Sequence, residues 1–292
     1  MQQQKSRFIL SLCGILLTGF AMLGCSSLVY QPTKADYYDP KFFFLQPKDL
    51  WIDSSNQQRI HAWFFESKTP AKGTFVFFHG NAENLTSHFA MMSWLPFSGY
   101  NYVIFDYPGY GESPGAPSQE NTIEAGKAVI RYTYGQLDHR PLVIYGHSLG
   151  GAIALRAIQE LNGEVPLRAA VIDGSFNSYK KVARSILSKH WFTWIFQPLT
   201  YFAVSDEKAP GPLAELSPLP LVFLHGDHDQ VIEQKFSEEL YSEAKEPKRL
   251  WIVKDGWHGT SFNSENRVYR RRLTEFLENC IPEAPLSDER CK

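Results

Sequence analysis

Residues 142–158 read Leu142-Val-Ile-Tyr-Gly146-His147-Ser148-Leu149-Gly150-Gly-Ala-Ile-Ala-Leu-Arg-Ala-Ile158. A short apolar, β-branched run meets Gly-His-Ser-Leu-Gly, and an Ala/Leu-rich stretch of helical character follows. The spacing predicts a strand, a sharp turn and a helix, the context in which GxSxG carries meaning. The turn forces Ser148 into a strained, exposed conformation. Gly146 and Gly150 are required because a Cβ at either would strike the neighbouring strand or helix. The outcome is a serine hydroxyl at the top of a sheet, beside a helix N-terminus that favours negative charge.

The rest of the chain agrees with a large α/β unit. Its 292 residues suffice for one such domain, and 43% are hydrophobic, enough for a sizeable core. A net charge of −2 gives no electrostatic case for nucleic acid. There is no low-complexity segment and no repeat at solenoid periods.

The N-terminus, residues 1–24, reads as a targeting segment. Lys5 and Arg7 form a basic start, and Phe8 to Phe20 is an apolar run too short and too rich in small residues for a spanning helix. Met22-Leu23-Gly24-Cys25-Ser26-Ser27 resembles a bacterial lipoprotein signal, with Cys25 as the lipid-modified residue. The resemblance implies several acyl chains on Cys25, and more than one chain is what stable anchoring requires. It also implies a place in the cell envelope, with Ser26 directing the protein to the outer membrane, facing the periplasm. An ordinary cleaved signal and an uncleaved anchor are the alternatives. Of four cysteines, Cys13 leaves with the signal, and Cys280 and Cys291 remain near the C-terminus. In an exported protein that pair is expected to form a disulfide.

Residues 25–47 read as a tether with Pro32, Pro40 and Pro47. Its aromatic cluster Tyr37, Tyr38, Phe42, Phe43 and Phe44 is expected to dock its end on the domain. Leu50–Asp53 and Arg59–Phe65 flank Ser54-Ser55-Asn56-Gln57 and predict a hairpin. Strands are expected at Thr74–Phe78, Tyr102–Phe105, Leu142–Tyr145, Ala169–Ile172, Leu221–Leu224 and Arg249–Val253. Helices are expected over 119–136, 148–161, 231–244 and 262–279. The alternation implies a mostly parallel sheet with helices on both faces, and sites at the carboxyl ends of the strands.

Four separated motifs lie at such ends: His79-Gly80-Asn81-Ala82-Glu83-Asn84; Asp106-Tyr107-Pro108-Gly109-Tyr110-Gly111-Glu112-Ser113; Leu224-His225-Gly226-Asp227-His228-Asp229-Gln230-Val231; and Asp255-Gly256-Trp257-His258-Gly259. With GxSxG they make residues 48–280 resemble an α/β-hydrolase-fold serine hydrolase. The resemblance implies Ser148 as nucleophile, Asp229 as acid and His258 as base, in the chain order of this fold. It implies an oxyanion hole from the N–H groups of Asn81 and Leu149. Asp227 and Asp173 are rival acids. Asp106 precedes Ser148, which breaks the order, so it reads as a holder of backbone donors, and His79 reads as structural. His225, Asp227, His228 and Asp229 also allow a metal reading, but no second ligand group is visible elsewhere. No cofactor is expected.

The insertion at about 175–215 stands where the family carries a cap. Its run Trp191-Phe192-Thr193-Trp194-Ile195-Phe196, continued to Phe202, either lines an apolar acyl site or packs a helix onto the sheet. The HGNA-type loop resembles small-cap members that include depalmitoylases, general esterases and relatives of serine peptidases. The expected partner is a small or acylated ester or thioester; an amide or peptide substrate is the alternative. A silent envelope-binding lipoprotein on the same fold is the non-enzymatic alternative.

Two measurements check the termini. Mass spectrometry of the protein from its native host is expected to find an acylated Cys25 as mature N-terminus; an intact Met1 start would refute the lipoprotein reading. A Cys280–Cys291 bond would close a loop of about a dozen residues, worth at most roughly 3 kcal/mol in the chain-entropy model. Thiol labelling of unreduced, denatured protein is expected to find neither cysteine free, and the tail 281–292 to loosen on reduction without loss of activity.

Overall fold

Side-chain alternation along the central runs decides how the sheet is covered. In the computed structural model, Val76 and Phe78 face one layer with Ile123, Val129 and Ile153. Phe75 and Phe77 face the other, with Leu85, Phe89, Leu273 and Phe276. A strand buried on both sides needs this unbroken apolar run, and it is what a parallel sheet between two helical layers demands.

The structure describes residues 29–189, 191–263 and 267–279. The segment 1–24, Cys25, Cys280, Cys291 and the tail 281–292 lie outside the described residues. Eight strands are described: β1 (Lys48–Asp53), β2 (Arg59–Phe65), β3 (Gly73–Phe78), β4 (Tyr100–Phe105), β5 (Leu142–His147), β6 (Leu167–Asp173), β7 (Leu221–Gly226) and β8 (Lys248–Val253). Their order is β1-β2-β4-β3-β5-β6-β7-β8. The expected hairpin β1–β2 is antiparallel, as is β2–β4, and every later pairing is parallel. This is the α/β architecture expected from the sequence.

The principal helices are α1 (Gln119–Tyr132), α2 (Leu149–Leu161), α3 (Tyr179–Ser188), α4 (Gln234–Glu243) and α5 (Arg267–Asn279). Three helix boundaries differ from expectation. Helix α1 ends at Tyr132 and continues as a wider turn to Leu137, closed by Asp138 N–H donating to Thr133 O at 2.9 Å. Helix α4 starts three residues late because Glu233 is extended, with φ −69° and ψ 138°, while Asp229 Oδ1 accepts the N–H groups of Val231 and Ile232 at 2.8 and 2.9 Å. Helix α5 is described from Arg267 rather than from 262.

Of the expected tether 25–47, Val29 already packs against the core, well before the aromatic cluster. Tyr30 is only 3% exposed, and Phe42 and Phe44 are over 80% exposed. Of the cluster, Phe43 packs inward, edge-on to Phe89 at 5.1 Å. The arm 29–38 is laced to the loop after β3. Asn81 Nδ2 donates to Val29 O at 2.8 Å, Asn81 Oδ1 accepts Gln31 N–H at 2.9 Å, and Asn84 Nδ2 donates to Ala35 O at 2.7 Å.

Removing the ring that seats this arm is therefore costly. Tyr30→Ala is expected to destabilise the protein by about 3 kcal/mol, the range for emptying a buried aromatic site. That corresponds to a fall in Tm of roughly 6–12 °C for a domain of this size. Phe42→Ala should leave Tm within a degree or so, since surface changes are usually nearly neutral. Differential scanning calorimetry of the two variants checks the contrast.

Candidate functional site

β5 ends at His147, α2 begins at Leu149, and Ser148 alone makes the turn, with φ 52° and ψ −123°. A serine in this region is strained by roughly 1–3 kcal/mol and persists only where its surroundings over-determine it. Here they do. Ser148 N–H donates to Asp173 O at 2.9 Å, and Ser148 O accepts Ser175 Oγ–H at 2.7 Å. The flanking glycines allow the close approach anticipated for them. A Cβ on Gly146 would lie 2.6 Å from Gly151 Cα, and one on Gly150 would lie 2.1 Å from Phe78 O.

The turns after β7 and β8 interlock. His228 N–H donates to Gly256 O at 2.9 Å, and a Cβ on Gly226 would lie 2.2 Å from the same oxygen. This brings Asp229 and His258 together, with Asp229 Oδ2 2.7 Å from His258 Nδ1. The Asp229 side chain is 2% exposed and that of His258 18%. Burial alone would push the Asp229 carboxyl up. The hydrogen bond and charge of His258 and the Ile232 and Val231 N–H groups outweigh it and hold the carboxyl below its usual range. An ionised Asp229 fixes the proton of His258 on Nδ1 and leaves Nε2 as the acceptor.

The turn after β6 joins the elbow to this pair. A Cβ on Gly174 would lie 3.3 Å from both Asp229 Oδ2 and His258 Nδ1, and the neighbouring Asp173 and Ser175 are the residues that hold the Ser148 backbone. The His147 ring packs 4.6 Å from that of His258. Ser148, Asp229 and His258 thus converge at the carboxyl ends of β5, β7 and β8.

The rival acids are placed differently. Asp173 is buried and accepts Tyr145 Oη–H and Ser261 Oγ–H at 2.8 and 2.7 Å. Burial raises its carboxyl above the usual range, with the two hydroxyl donors working against that. Asp227 is exposed. Asp106 holds backbone donors, accepting Leu85 N–H at 2.9 Å and Glu112 N–H at 3.3 Å. His79 is fully buried, bonds the Gly80 carbonyl through Nδ1 at 2.8 Å and stacks on His88. Burial, with the adjacent His88, pushes it well below the usual histidine range.

Of the residues of the metal reading, His225 Nε2 lies 3.6 Å from Asp229 Oδ2. His225 is buried between Ser237 Oγ, 2.7 Å from Nδ1, and Ile232 O, 3.0 Å from Nε2, whereas His228 is exposed beside Trp257. Among the described residues no three His, Cys, Asp or Glu side chains gather into a metal-binding group.

Asn81 and Leu149 sit on either side of the elbow. Leu149 is the first residue of α2, whose opening N–H groups have no intrahelical acceptor. The Asn81 N–H donates to no acceptor among the described residues. Its side chain is occupied instead, bonding Val29, Gln31 and Tyr110 Oη. That use of Asn81 is invisible in sequence, because its partners lie 29 to 52 positions away. Gly174 and Ser175 support the elbow as well, and nothing in the sequence Asp173-Gly174-Ser175 marks this, because Ser175 meets Ser148 across 27 positions.

Comparison with known proteins agrees with the fold. Residues 73–194 match the model of the alpha/beta hydrolase fold family. The chain is 34% identical over 282 residues to the Escherichia coli K12 protein YfhR, covering 91% of this chain and 95% of that one. It is 26% identical over 212 residues to the Gallus gallus lysophosphatidylserine lipase ABHD12, covering 67% of this chain and 53% of that one. Among solved structures, the Pyrococcus furiosus esterase Pf2001 superposes with a TM-score of 0.68 at 20% identity, covering 86% and 97% of the two chains. The elbow, the strand order and these likenesses together make the chain a member of the alpha/beta hydrolase fold family, in the same family as YfhR.

Proposed function

We propose that this protein is a serine hydrolase that cleaves a carboxylic ester or thioester through an acyl-enzyme on Ser148. The observation that carries the reading is the 2.7 Å bond between Asp229 and His258 beside a serine held at positive φ on a strand–helix elbow. His258 Nε2 takes the Ser148 proton as Oγ attacks the carbonyl carbon. Asp229 keeps the imidazole in the needed tautomer and stabilises the cation that forms. The N–H groups of Asn81 and Leu149 hold the oxyanion, usually the largest single contribution to rate. The C–O or C–S bond then breaks as His258 gives its proton to the leaving group. Water, deprotonated by His258, attacks the acyl carbon and frees Ser148.

The lipase named among the relatives, and the esterase among the solved structures, are in keeping with an ester-linked acyl group. The same proposal places the enzyme at the envelope, anchored through Cys25 on the outer membrane and facing the periplasm. That part rests on the Met22–Ser27 motif.

A fluorophosphonate probe is expected to label the wild type and not Ser148→Ala, and turnover of a short p-nitrophenyl ester should disappear with it. Circular dichroism should be unchanged. Full activity in Ser148→Ala would sink the reading. Asp229→Asn is expected to lower kcat by roughly 10⁴-fold through loss of tautomer control. Asp173→Asn should cost far less turnover; a larger loss than in Asp229→Asn would reassign the acid.

A further inference from the structure

The cap exposes its rings instead of burying them. Trp191 and Phe202 are each 88% exposed, and Trp194, Ile195, Leu199 and Tyr201 are between 48% and 64% exposed. They follow α3, which buries Tyr179, Val182 and Ser185 at helical spacing and turns Lys181, Arg184 and Ile186 outward. A soluble monomer rarely shows such a contiguous apolar patch unless something covers it.

The charges carried by the segment itself are all basic. From Tyr179 to Ser205 the sequence carries Lys180, Lys181, Arg184 and Lys189 and no Asp or Glu. Arg184 lies over the Tyr201 ring at 5.1 Å and donates to its hydroxyl. Lys189 Nζ donates to the Val231 carbonyl, and Lys181 meets Glu239 at 2.6 Å. Aromatic rings beside basic side chains suit the headgroup region of an anionic bilayer, and the acids that reach this segment, Glu239 on Lys181 and Glu233 on Ser185, come from a neighbouring part of the chain. A second copy of the chain fits poorly, since a two-fold contact would set these cations against themselves.

The chain outside the structure enters at the same place. The Tyr30 hydroxyl lies 3.4 Å from Thr122 Oγ1, and Tyr30 shares one buried cluster with Tyr179, the first residue of α3. The far end of the cap is tied beside it: Gln119 Nε2 donates to Ser205 O and Ser178 Oγ to Asp206 Oδ2, both at 2.7 Å. Val29 stands only four positions after Cys25, a reach of at most about 14 Å. A chain held in a membrane upstream of Val29 delivers the base of the cap to that membrane.

We propose that the cap segment 191–202, with the basic face of α3, seats on an anionic lipid bilayer and turns the mouth of the site toward it. The proposal goes beyond the hydrolase reading and is tested without turnover, so the failure of one is distinguishable from the failure of the other. The full chain and its Ser148→Ala variant are reconstituted in phosphatidylglycerol–phosphatidylethanolamine vesicles with brominated or ordinary acyl chains, and tryptophan emission is read. Two of the seven tryptophans lie in the patch and none lies before Val29.

Bromolipid quenching is expected in both proteins. It should be lost in the Trp191→Ser/Trp194→Ser double variant, and weakened when phosphatidylcholine replaces the anionic lipid or salt is raised. Equal quenching with and without the two tryptophans, or none in the wild type, would overturn the proposal. So would a wild-type dimer in detergent that the double variant disperses, since the patch would then cover a second copy. Phe202→Ser, at a site with little to lose in folding, should weaken the same quenching and serves if the double variant does not fold.

Discussion

Gly150 lies so close to β3 that a methyl group on it would sit 2.1 Å from the Phe78 carbonyl oxygen and 2.3 Å from that of His79. This approach governs the rest of the site. β3 ends at Phe78 and the loop bearing Asn81 starts at once, so the helix that leans on those carbonyls brings its own N-terminus against that loop. The two N–H groups proposed to receive an oxyanion are neighbours because of it. A side chain at position 150 would push helix and loop apart. The same contact forces the chain to reverse within one residue, and that residue is Ser148.

A strained elbow needs support, and the support is polar and buried. The Asp173 carbonyl takes the Ser148 N–H, while its carboxylate ties Tyr145 of β5 to Ser261 beyond β8. Buried polar groups are tolerable when satisfied, and a satisfied network specifies one arrangement. Among the described residues eight buried side-chain atoms have no hydrogen-bond partner, and two of them, His79 Nε2 and His147 Nδ1, lie near the elbow. Both belong to imidazoles packed on one another from His79 through His88 and His147 to His258, at centroid spacings of 5.1, 6.4 and 4.6 Å. Burial, as the main cause, lowers the first three below the usual histidine range. They fill the floor of the site as uncharged rings and add no cation beside His258.

The N-terminal arm and the cap meet on the same edge of the molecule. The arm sets Tyr30 on Thr122, in the buried cluster that also holds Tyr179, and bonds Asn81 and Asn84.

Local pattern and short spacing carried much of this structure. Eight apolar runs at strand length, the Gly-His-Ser-Leu-Gly turn and the order Ser148, Asp229, His258 are all consequences of chain chemistry over a few residues. Sequence alone therefore determined the sheet, its parallel character and the residues that converge at its carboxyl edge. Contacts across long separations were decided only by the fold. Asn81 bonds Val29 across 52 positions, and Ser175 holds Ser148 across 27. Asp173 differs from Asp229 because tertiary packing gives it Tyr145 and Ser261 as partners, while Asp229 receives His258. The cap shows the same limit. An aromatic run reads alike whether it is buried or exposed, since burial depends on what the chain lays over it. Here nothing among the described residues covers Trp191 or Phe202.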